Sequence, residues 1–326
     1  NPESLSFYQE VIRHTQTILK TEPQVLAADL HPDYASTRHC REYPQLPLIL
    51  VQHHAAHVLS VAAENEHFSS CLGLALDGTG LGEDGTLWGG ELLEADFGRG
   101  DIRRLAHFPP MPLPGGEQAI REPWRTALGY LLSLGLEPQT ESLPWLPKRH
   151  KAHDMVVRMV RKGLNSPMNT SCGRLFDAVS ALLGLVQEIS YEGQAAVRLE
   201  AIQKSGDHGA YPCRVLTDRD PAHLDTGQLF SRVYADWQSG EDPGIISSRF
   251  HRGLCLGLAE LVRHCSEQSG LSSVALSGGV MQNETVSTLL PEELAERGIR
   301  PLLHTSLPAN DACISLGQAV YARHFA

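Results

Sequence analysis

The sequence predicts an α/β fold, and two observations carry this prediction. Short apolar runs of strand length alternate with longer segments of helical periodicity along most of the 326 residues. Glycine- and proline-rich turns separate many of these segments, as is typical of strands that lead into helices. The pattern indicates two sheet-forming regions with a mostly helical stretch between them.

The predicted elements follow one another along the chain. Strands are predicted at residues 25–28, 48–51, 72–76, 86–93, 102–107 and 274–276, with a short segment at 301–303. Helices are predicted at residues 5–19, 53–64 and 248–269, after residue 281, from about residue 311, and over most of 118–200. Residues 108–116 are rich in proline and glycine and predict a loop.

The length of the chain favours two lobes over one small core. We divide it into a first lobe at residues 1–115, a helical insert with a connecting region at 116–240, and a second lobe at 241–326. The polar, weakly periodic segment at 205–245 predicts the boundary between the lobes.

Composition narrows the class of protein. The net charge of −11 argues against a nucleic-acid partner, and residues 148–162 hold the one concentration of basic side chains. No apolar run approaches the ~20 residues that a membrane helix needs, and the first residues lack a signal-peptide pattern. The seven cysteines form no C-x-x-C pair, which argues against a zinc ribbon and is typical of reduced thiols. We therefore expect a cytoplasmic protein without a membrane partner.

His53 and His57 form the first candidate site. They follow an apolar strand and begin a predicted helix, where residues four apart share one face. Two imidazoles on one face can bind one metal ion. An isolated pair of this spacing is more often a pair of surface histidines at a helix start. His54 lies on another face, and we expect no part for it in ligation.

Two carboxylates could complete this site. Asp77 follows a predicted strand and precedes the turn Gly78-Thr79-Gly80, where glycines allow a ligand to approach the backbone. Asp311 begins the last predicted helix, where a helix cap is the simpler interpretation. Together with the histidines they offer two imidazoles and two carboxylates, a set that suits zinc or iron.

Several glycine-rich or polar segments predict a nucleotide site. An apolar strand leads into Ser277-Gly278-Gly279 and then a helix, the arrangement of a phosphate-binding turn, with Asn283 as a further polar contact. A tight strand-to-helix turn is an equal alternative. The candidate residues of two other segments are Gly173, Asp177, Glu192 and Gly193, for which helix capping and solvation are the simpler interpretation.

Seven motifs follow one another along the chain: VQHHAAH (51–57), ALDGTGLG (75–82), PGGEQAIREPWR (114–125), CGRLFDAVSALLG (172–184), YEGQAA (191–196), SGGVMQN (277–283) and PANDACISLGQA (308–319). In these motifs and their order the sequence resembles the HypF family of carbamoyltransferases, which mature [NiFe] hydrogenases. The resemblance extends from about residue 25 to 320, and DLHPDYAST (29–37) fits it too.

The resemblance implies a two-lobed domain of the actin/sugar-kinase/Hsp70 ATPase superfamily with a helical insert. It implies metal ligands at His53, His57, Asp77 and Asp311. It implies nucleotide contacts at Gly78, Thr79, Gly173, Asp177, Glu192, Gly278, Gly279 and Asn283. It also implies that the chain begins inside the domain, after the family's first strand and a Gly-rich loop with a lysine.

The activity that the resemblance implies is carbamoyl transfer from carbamoyladenylate to the C-terminal cysteine of an acceptor protein, HypE. We expect ATP, AMP or carbamoyladenylate and an iron or zinc ion as cofactors. Arg121 and Arg125 are candidates for phosphate or carbamoyl contacts. The alternatives are transfer to a small-molecule hydroxyl, threonylcarbamoyl transfer to tRNA, and a non-catalytic domain that binds nucleotide.

Overall fold

The computed structural model describes residues 2–136 and 143–326. Its strands are β1 (Leu26–Asp29), β2 (Leu48–Val51), β3 (Cys71–Leu81), β4 (Leu87–Asp96), β5 (Asp101–His107), β6 (Met111–Pro112), β7 (Met168–Asn169), β8 (Val215–Leu216), β9 (Ala222–Leu224), β10 (Ser273–Ser277) and β11 (Arg300–Leu302). Its helices are α1 (Pro2–Leu19), α2 (Ala35–Cys40), α3 (His53–Glu64), α4 (Glu117–Arg121), α5 (Pro123–Ser133), α6 (Leu146–Lys162), α7 (Cys172–Leu182), α8 (Gln194–Ala201), α9 (Thr226–Ser239), α10 (Pro243–Ser269), α11 (Glu284–Glu296) and α12 (Ile314–His324). Short 3₁₀ turns span Gly279–Gln282 and Asp311–Cys313.

Most strands belong to one sheet, with the spatial order β11-β10-β3-β4-β5-β9-β8. Strands β11, β10 and β3 are parallel, whereas β3, β4 and β5 are antiparallel. Strands β1 and β2 form a separate parallel pair. The sequence predicted two sheet-forming regions, but β10 from the last third of the chain pairs directly with β3 from the first. The division into segments 1–115, 116–240 and 241–326 remains a prediction, and this sheet crosses its boundaries.

The central strand β3 has apolar residues on both faces of the sheet. Leu72, Leu74 and Leu76 belong to a core cluster that also includes residues of α5, α7 and α10. Cys71 and Ala75 face the other way, into a cluster with residues of α3 and α12. Since successive side chains of a strand point to opposite faces, this alternation places helices on both sides of the sheet.

Several local predictions are confirmed. Helix α3 begins and ends where it was predicted, and β1, β2 and β10 lie within one residue of their predicted ends. The predicted helical stretch 118–200 contains α4 to α8 and the short strand β7. Residues 137–142 of that stretch lie outside the described residues.

One local prediction is wrong. The segment Asp77-Gly78-Thr79-Gly80 is not a turn after a strand but part of β3, whose pairing with β4 shifts between Leu76 and Gly80. Residues 108–116 form the predicted loop except at β6, where Met111 and Pro112 pair with β7. The polar segment 205–245 contains β8, β9 and α9, and β9 extends the main sheet by pairing with β5, so the lobe boundary expected there stays a prediction.

Across residues 2–136 and 143–326, the helices lack the combination of length and apolar character that a membrane span requires. The cytoplasmic location expected from the sequence stays a prediction.

Candidate metal and nucleotide site

The start of α3 holds the two predicted histidines in place. Gln52 precedes the helix and its side-chain oxygen accepts hydrogen bonds from the backbone N–H groups of His54 and Ala55. Such a cap satisfies donors that have no partner within the helix. His53 and His57 follow on the next two turns, and both side chains are buried. A well-capped helix therefore fixes the spacing of the two rings.

His53, His57, Asp77 and Asp311 come together in one cluster, whose candidate ligand atoms all lie within 4.8 Å of one another. His53 Nε2 lies 3.3 Å from Asp77 Oδ2 and 3.6 Å from Asp311 Oδ1. His57 Nε2 lies 4.0 Å from Asp77 Oδ2 and 3.6 Å from Asp311 Oδ1. Within the described part of the chain, neither Nε2 atom has a hydrogen-bond partner. Two buried nitrogens aimed at two carboxylates fit the donor set of a zinc or iron ion.

The other nitrogen of each ring has its own partner. His53 Nδ1 lies 2.7 Å from Asp29 Oδ2, and His57 Nδ1 lies 3.0 Å from Ser277 Oγ. A proton on Nδ1 leaves the lone pair on Nε2 free for a metal, and such partners are typical of metal-binding histidines. His54 is not in the cluster, and its Nδ1 lies 3.0 Å from the side-chain nitrogen of Gln52.

The buried imidazoles and carboxylates shift one another's pKa values. Burial alone would lower the pKa of His53, but the neighbouring carboxylates of Asp29, Asp311 and Asp77 raise it well above its ordinary value. Burial also opposes the charged form of His57, yet Asp311 and other neighbours raise its pKa to about 9. Burial would raise the pKa of Asp77, but the histidines hold it far below its usual range. The cluster therefore favours positive charge at its centre, which a metal ion would also supply.

A cavity of about 500 Å³ opens beside this cluster. Asp77 and Asp311 line it, so the two carboxylates face both the cavity and the histidines. The volume lies in the range of sites for small-molecule ligands. Six of the predicted nucleotide contacts line the cavity as well: Gly78, Gly173, Asp177, Glu192, Gly193 and Gly279.

The N-terminus of α7 forms one wall of the cavity. Ser171 caps the helix by accepting from Arg174 N, and its hydroxyl also lies 2.6 Å from the backbone oxygen of Gly78. A Cβ atom at Gly173 would lie 2.9 Å from Gly78 Cα, so only glycine permits this close approach. The free N–H groups of a helix start favour anions, which suits a phosphate.

Arg174 lines the cavity although its guanidinium is largely buried. Its Nη1 lies 3.0 Å from Asp177 Oδ2 as an ion pair. Neither of these atoms, nor Arg174 Nε, makes a hydrogen bond of good geometry within the described ranges. Burial raises the pKa of Asp177, although Arg174 opposes this shift. Buried donors with unused capacity are suited to an anionic ligand.

Other predicted nucleotide contacts lie away from the cavity wall. Asn283 caps α11 by accepting from Val286 N, and its Nδ2 lies 3.1 Å from His251 Nε2. Thr79 donates to the backbone oxygen of Gly78. Gly278 has φ of +100° and its Cβ would lie 2.2 Å from Leu76 O, so it shapes the turn. The predicted contact of Asn283 with the ligand stays a prediction.

Arg121 and Arg125 are also placed away from the cavity. Arg121 is exposed at the end of α4. Arg125 is buried, pairs with Glu122, and lies over the ring of Trp124 at 5.0 Å from its centre. A guanidinium with these partners stabilises the packing of α5. Their predicted contacts to phosphate or carbamoyl remain untested, but this placement gives them no support.

Sequence reasoning missed two residues of the site, Arg174 and Asp29. Arg174 lies in the CGRLFDAVSALLG motif, from which the sequence predicted Gly173 and Asp177 as nucleotide contacts but not the arginine. Asn310, beside Asp311 at the predicted helix start, caps the 3₁₀ turn by accepting from Ala312 N, which leaves Asp311 free for the cluster. Asp29 lies 24 positions before its partner His53. The motif at residues 29–37 was a signal for Asp29, but its role needed the tertiary contact.

The fold and the site place the chain among Kae1-like carbamoyltransferase domains. Residues 73–318 match the family described as "Carbamoyltransferase, Kae1-like Domain, second subdomain", and residues 1–64 match "HypF Kae1-like domain". Carbamoyltransferase HypF of Rhizobium leguminosarum bv. viciae is 38% identical over 326 residues, which cover 99% of this chain and 41% of that protein. Carbamoyltransferase HypF2 of Cupriavidus necator is 36% identical, with 95% of this chain and 41% of that protein covered.

A solved structure is also similar. The chain superposes with a TM-score of 0.91 and 34% identity on the crystal structure of full-length HypF in the phosphate- and nucleotide-bound form. The match covers 99% of this chain and 50% of that one. The chain therefore belongs to the HypF family of carbamoyltransferases, and the expected fold class is confirmed. It spans about two fifths of the length of the curated relatives it matches.

Proposed function

We propose that the chain transfers a carbamoyl group from carbamoyladenylate to the C-terminal cysteine of a HypE-type acceptor protein. The carbamoyladenylate would be made from carbamoyl phosphate and ATP in a separate domain, and the product would supply the cyanide ligands of [NiFe] hydrogenase. The observation that carries the proposal is the position of Asp77 and Asp311, which line the cavity and belong to the His-Asp cluster. A ligand in the cavity therefore lies beside a candidate metal site.

The residues of the cavity suit the parts of an adenylate. Asp177 and Glu192 offer acceptors for ribose hydroxyls. Arg174 offers buried donors to the phosphate, as does the N-terminus of α7. His53, His57, Asp77 and Asp311 would hold an iron or zinc ion. When bound, this ion would supply Lewis acidity toward the carbamoyl or phosphate oxygens.

The transfer step is a substitution at the carbamoyl carbon. The acceptor thiolate forms a bond from sulfur to that carbon, and the bond between the carbon and the phosphate oxygen breaks. AMP leaves with the electron pair, and its charge falls near Arg174 in the cavity. A carbamoyl carbon is a poor electrophile because its nitrogen donates electrons to the carbonyl. Stabilisation of the negative charge on the leaving phosphate would therefore lower the barrier to transfer.

The direct test supplies preformed carbamoyladenylate and an acceptor that ends in cysteine. We expect His57→Ala to reduce the rate of thiol carbamoylation by about 100-fold or more, because the cluster loses one ligand. His14→Ala, at an exposed position of α1, is the control and should keep the parent rate. Mass spectrometry of the acceptor measures the product. Full activity of His57→Ala would remove the metal from the mechanism.

The same assay separates the alternatives. A HypE-type acceptor that is carbamoylated while tRNA and small hydroxyl compounds are not would support the proposal. The net charge of −11 weighs against tRNA. A chain that binds nucleotide and metal but transfers nothing would support the non-catalytic domain.

Arg174 supplies a second prediction. Arg174→Ala should weaken AMP binding about 10- to 100-fold, because a buried charged donor to the phosphate is lost. Arg198→Ala is the matched control, since Arg198 is exposed on the neighbouring helix α8. Isothermal titration of AMP into each variant measures the dissociation constant. An unchanged constant for Arg174→Ala would mean that the phosphate binds elsewhere.

A further inference from the structure

A second group of polar side chains lies on the side of His57 that faces away from the ligand cluster. Ser277 ends β10, and His304 follows β11. Glu64 is the last residue of α3, the helix that begins with the histidine pair. The side chains of His304 and Glu64 are only 5% and 9% exposed. Buried polar side chains are destabilising unless they form hydrogen bonds. The hydrogen-bond partners of His304 and Glu64 therefore indicate which parts of the site these two residues stabilise.

These side chains form an unbroken chain of hydrogen bonds from His57. His57 Nδ1 lies 3.0 Å from Ser277 Oγ, which lies 3.2 Å from His304 Nε2. His304 Nδ1 lies 2.6 Å from Glu64 Oε2. With a metal on Nε2 of His57, its Nδ1–H donates to Ser277, whose hydroxyl can donate to His304 Nε2. His304 Nδ1–H then donates to the carboxylate, so each donor in the chain has an acceptor.

The second oxygen of Glu64 holds the backbone that leads to the other ligand. Glu64 Oε1 accepts from the N–H group of Thr305 at 2.7 Å, and from the N–H groups of Ser306 and Leu307. The hydroxyl of Thr305 donates to the same oxygen at 2.9 Å. These residues connect β11 to the turn that begins with Asp311. One carboxylate therefore contacts both the hydrogen-bond chain to His57 and the segment that presents Asp311.

We infer that Glu64 and His304 are positioning residues of the metal cluster, which orient His57 and Asp311 for the ion. This inference rests on the metal binding in the proposed function. Neither residue touches the cavity or the candidate ligand atoms directly. Their effect on the ion passes through Ser277 on one side and through the backbone of 305–307 on the other. Partners of this kind orient the ring and strengthen its nitrogen as a ligand.

The test measures Zn²⁺ affinity and the visible absorption of bound Co²⁺ in the parent and in three variants. Glu64→Gln, His304→Gln and Ser277→Ala should each weaken Zn²⁺ binding about 10- to 100-fold and change the Co²⁺ spectrum, with one ion still bound. Ser277→Ala breaks the chain in the middle and leaves the contacts of Glu64 to residues 305–307 in place. Glu66→Gln, at an exposed neighbouring position, is the control and should behave as the parent.

The variants separate positioning from a purely structural role. If Glu64 only ties down the backbone, Glu64→Gln will lower the melting temperature while His304→Gln and Ser277→Ala keep the parent affinity and spectrum. That result would overturn the inference. Failure of the proposed metal site would appear differently, because the parent and His57→Ala would then bind Zn²⁺ equally.

Discussion

Asp77→Asn is expected to weaken Zn²⁺ binding more than about 100-fold, since it would remove a proposed ligand as well as a negative charge. Asp77 Oδ2 faces the Nε2 atoms of His53 and His57, and Oδ1 accepts from Gly279 N at 3.0 Å. An asparagine can keep the bond to Gly279 through its carbonyl oxygen. Its NH₂ group then faces the two histidine nitrogens and cannot ligate a cation.

The same substitution tests whether the metal and nucleotide sites are coupled. Asp77 lines the cavity and, through Gly279, orders the turn after β10. Adenylate binding should therefore lose its dependence on metal in Asp77→Asn, as measured by titration of AMP with and without Zn²⁺. Asp154→Asn, at an exposed position of α6, removes the same charge far from the cluster and should change neither constant. Parent-like Zn²⁺ affinity in Asp77→Asn would exclude the carboxylate as a ligand.

Local sequence signals predicted the parts of the site that depend on nearby residues. Helix α3 was predicted to the residue because its apolar periodicity and the preceding apolar strand mark its start, and the structure adds Gln52 as its cap. The ligand types also follow from the sequence, since imidazoles and carboxylates at strand and helix ends suit a metal. Their assembly is a long-range event that brings Asp311 within 3.6 Å of His57.

Strand pairings and hydrogen-bond partners that depend on tertiary contacts could not be predicted from the sequence. The pairing of β10 with β3 joins segments about 200 residues apart, and no local periodicity encodes it. Ser277, the polar partner of His57, lies on β10. Its contact with His57 therefore depends on the pairing of β10 with β3 and could not be predicted from the local sequence. The local sequence also could not show which arginine lines the cavity. Both Arg125 and Arg174 pair with a nearby carboxylate, but Arg174 lines the cavity and two of its nitrogens have no hydrogen bond of good geometry among the described residues.

Gly317→Ala should destabilise the fold by about 3 kcal/mol or more, because the added methyl group meets backbone that cannot turn aside. A Cβ atom at this position of α12 would lie 1.8 Å from Ala56 O and 2.5 Å from Ala56 C. The helices α12 and α3 must then separate. Urea denaturation measures the free energy of unfolding. Ser315→Ala, which removes a hydroxyl at an exposed position of the same helix, is the control and should stay within about 0.5 kcal/mol of the parent.

Gly317→Ala is also expected to weaken metal binding, because Ala56 directly precedes His57 in α3. A shift of that helix by even a fraction of an ångström alters the distance from His57 Nε2 to Asp311 Oδ1, which is 3.6 Å in the native packing. Zn²⁺ affinity should therefore fall in the folded fraction of this variant, measured well below its melting temperature. Parent-like stability together with parent-like affinity would show that α12 and α3 are not packed as closely as the structure indicates. On this prediction, close helix packing at one glycine would determine both the stability of the fold and the geometry of the candidate metal cluster.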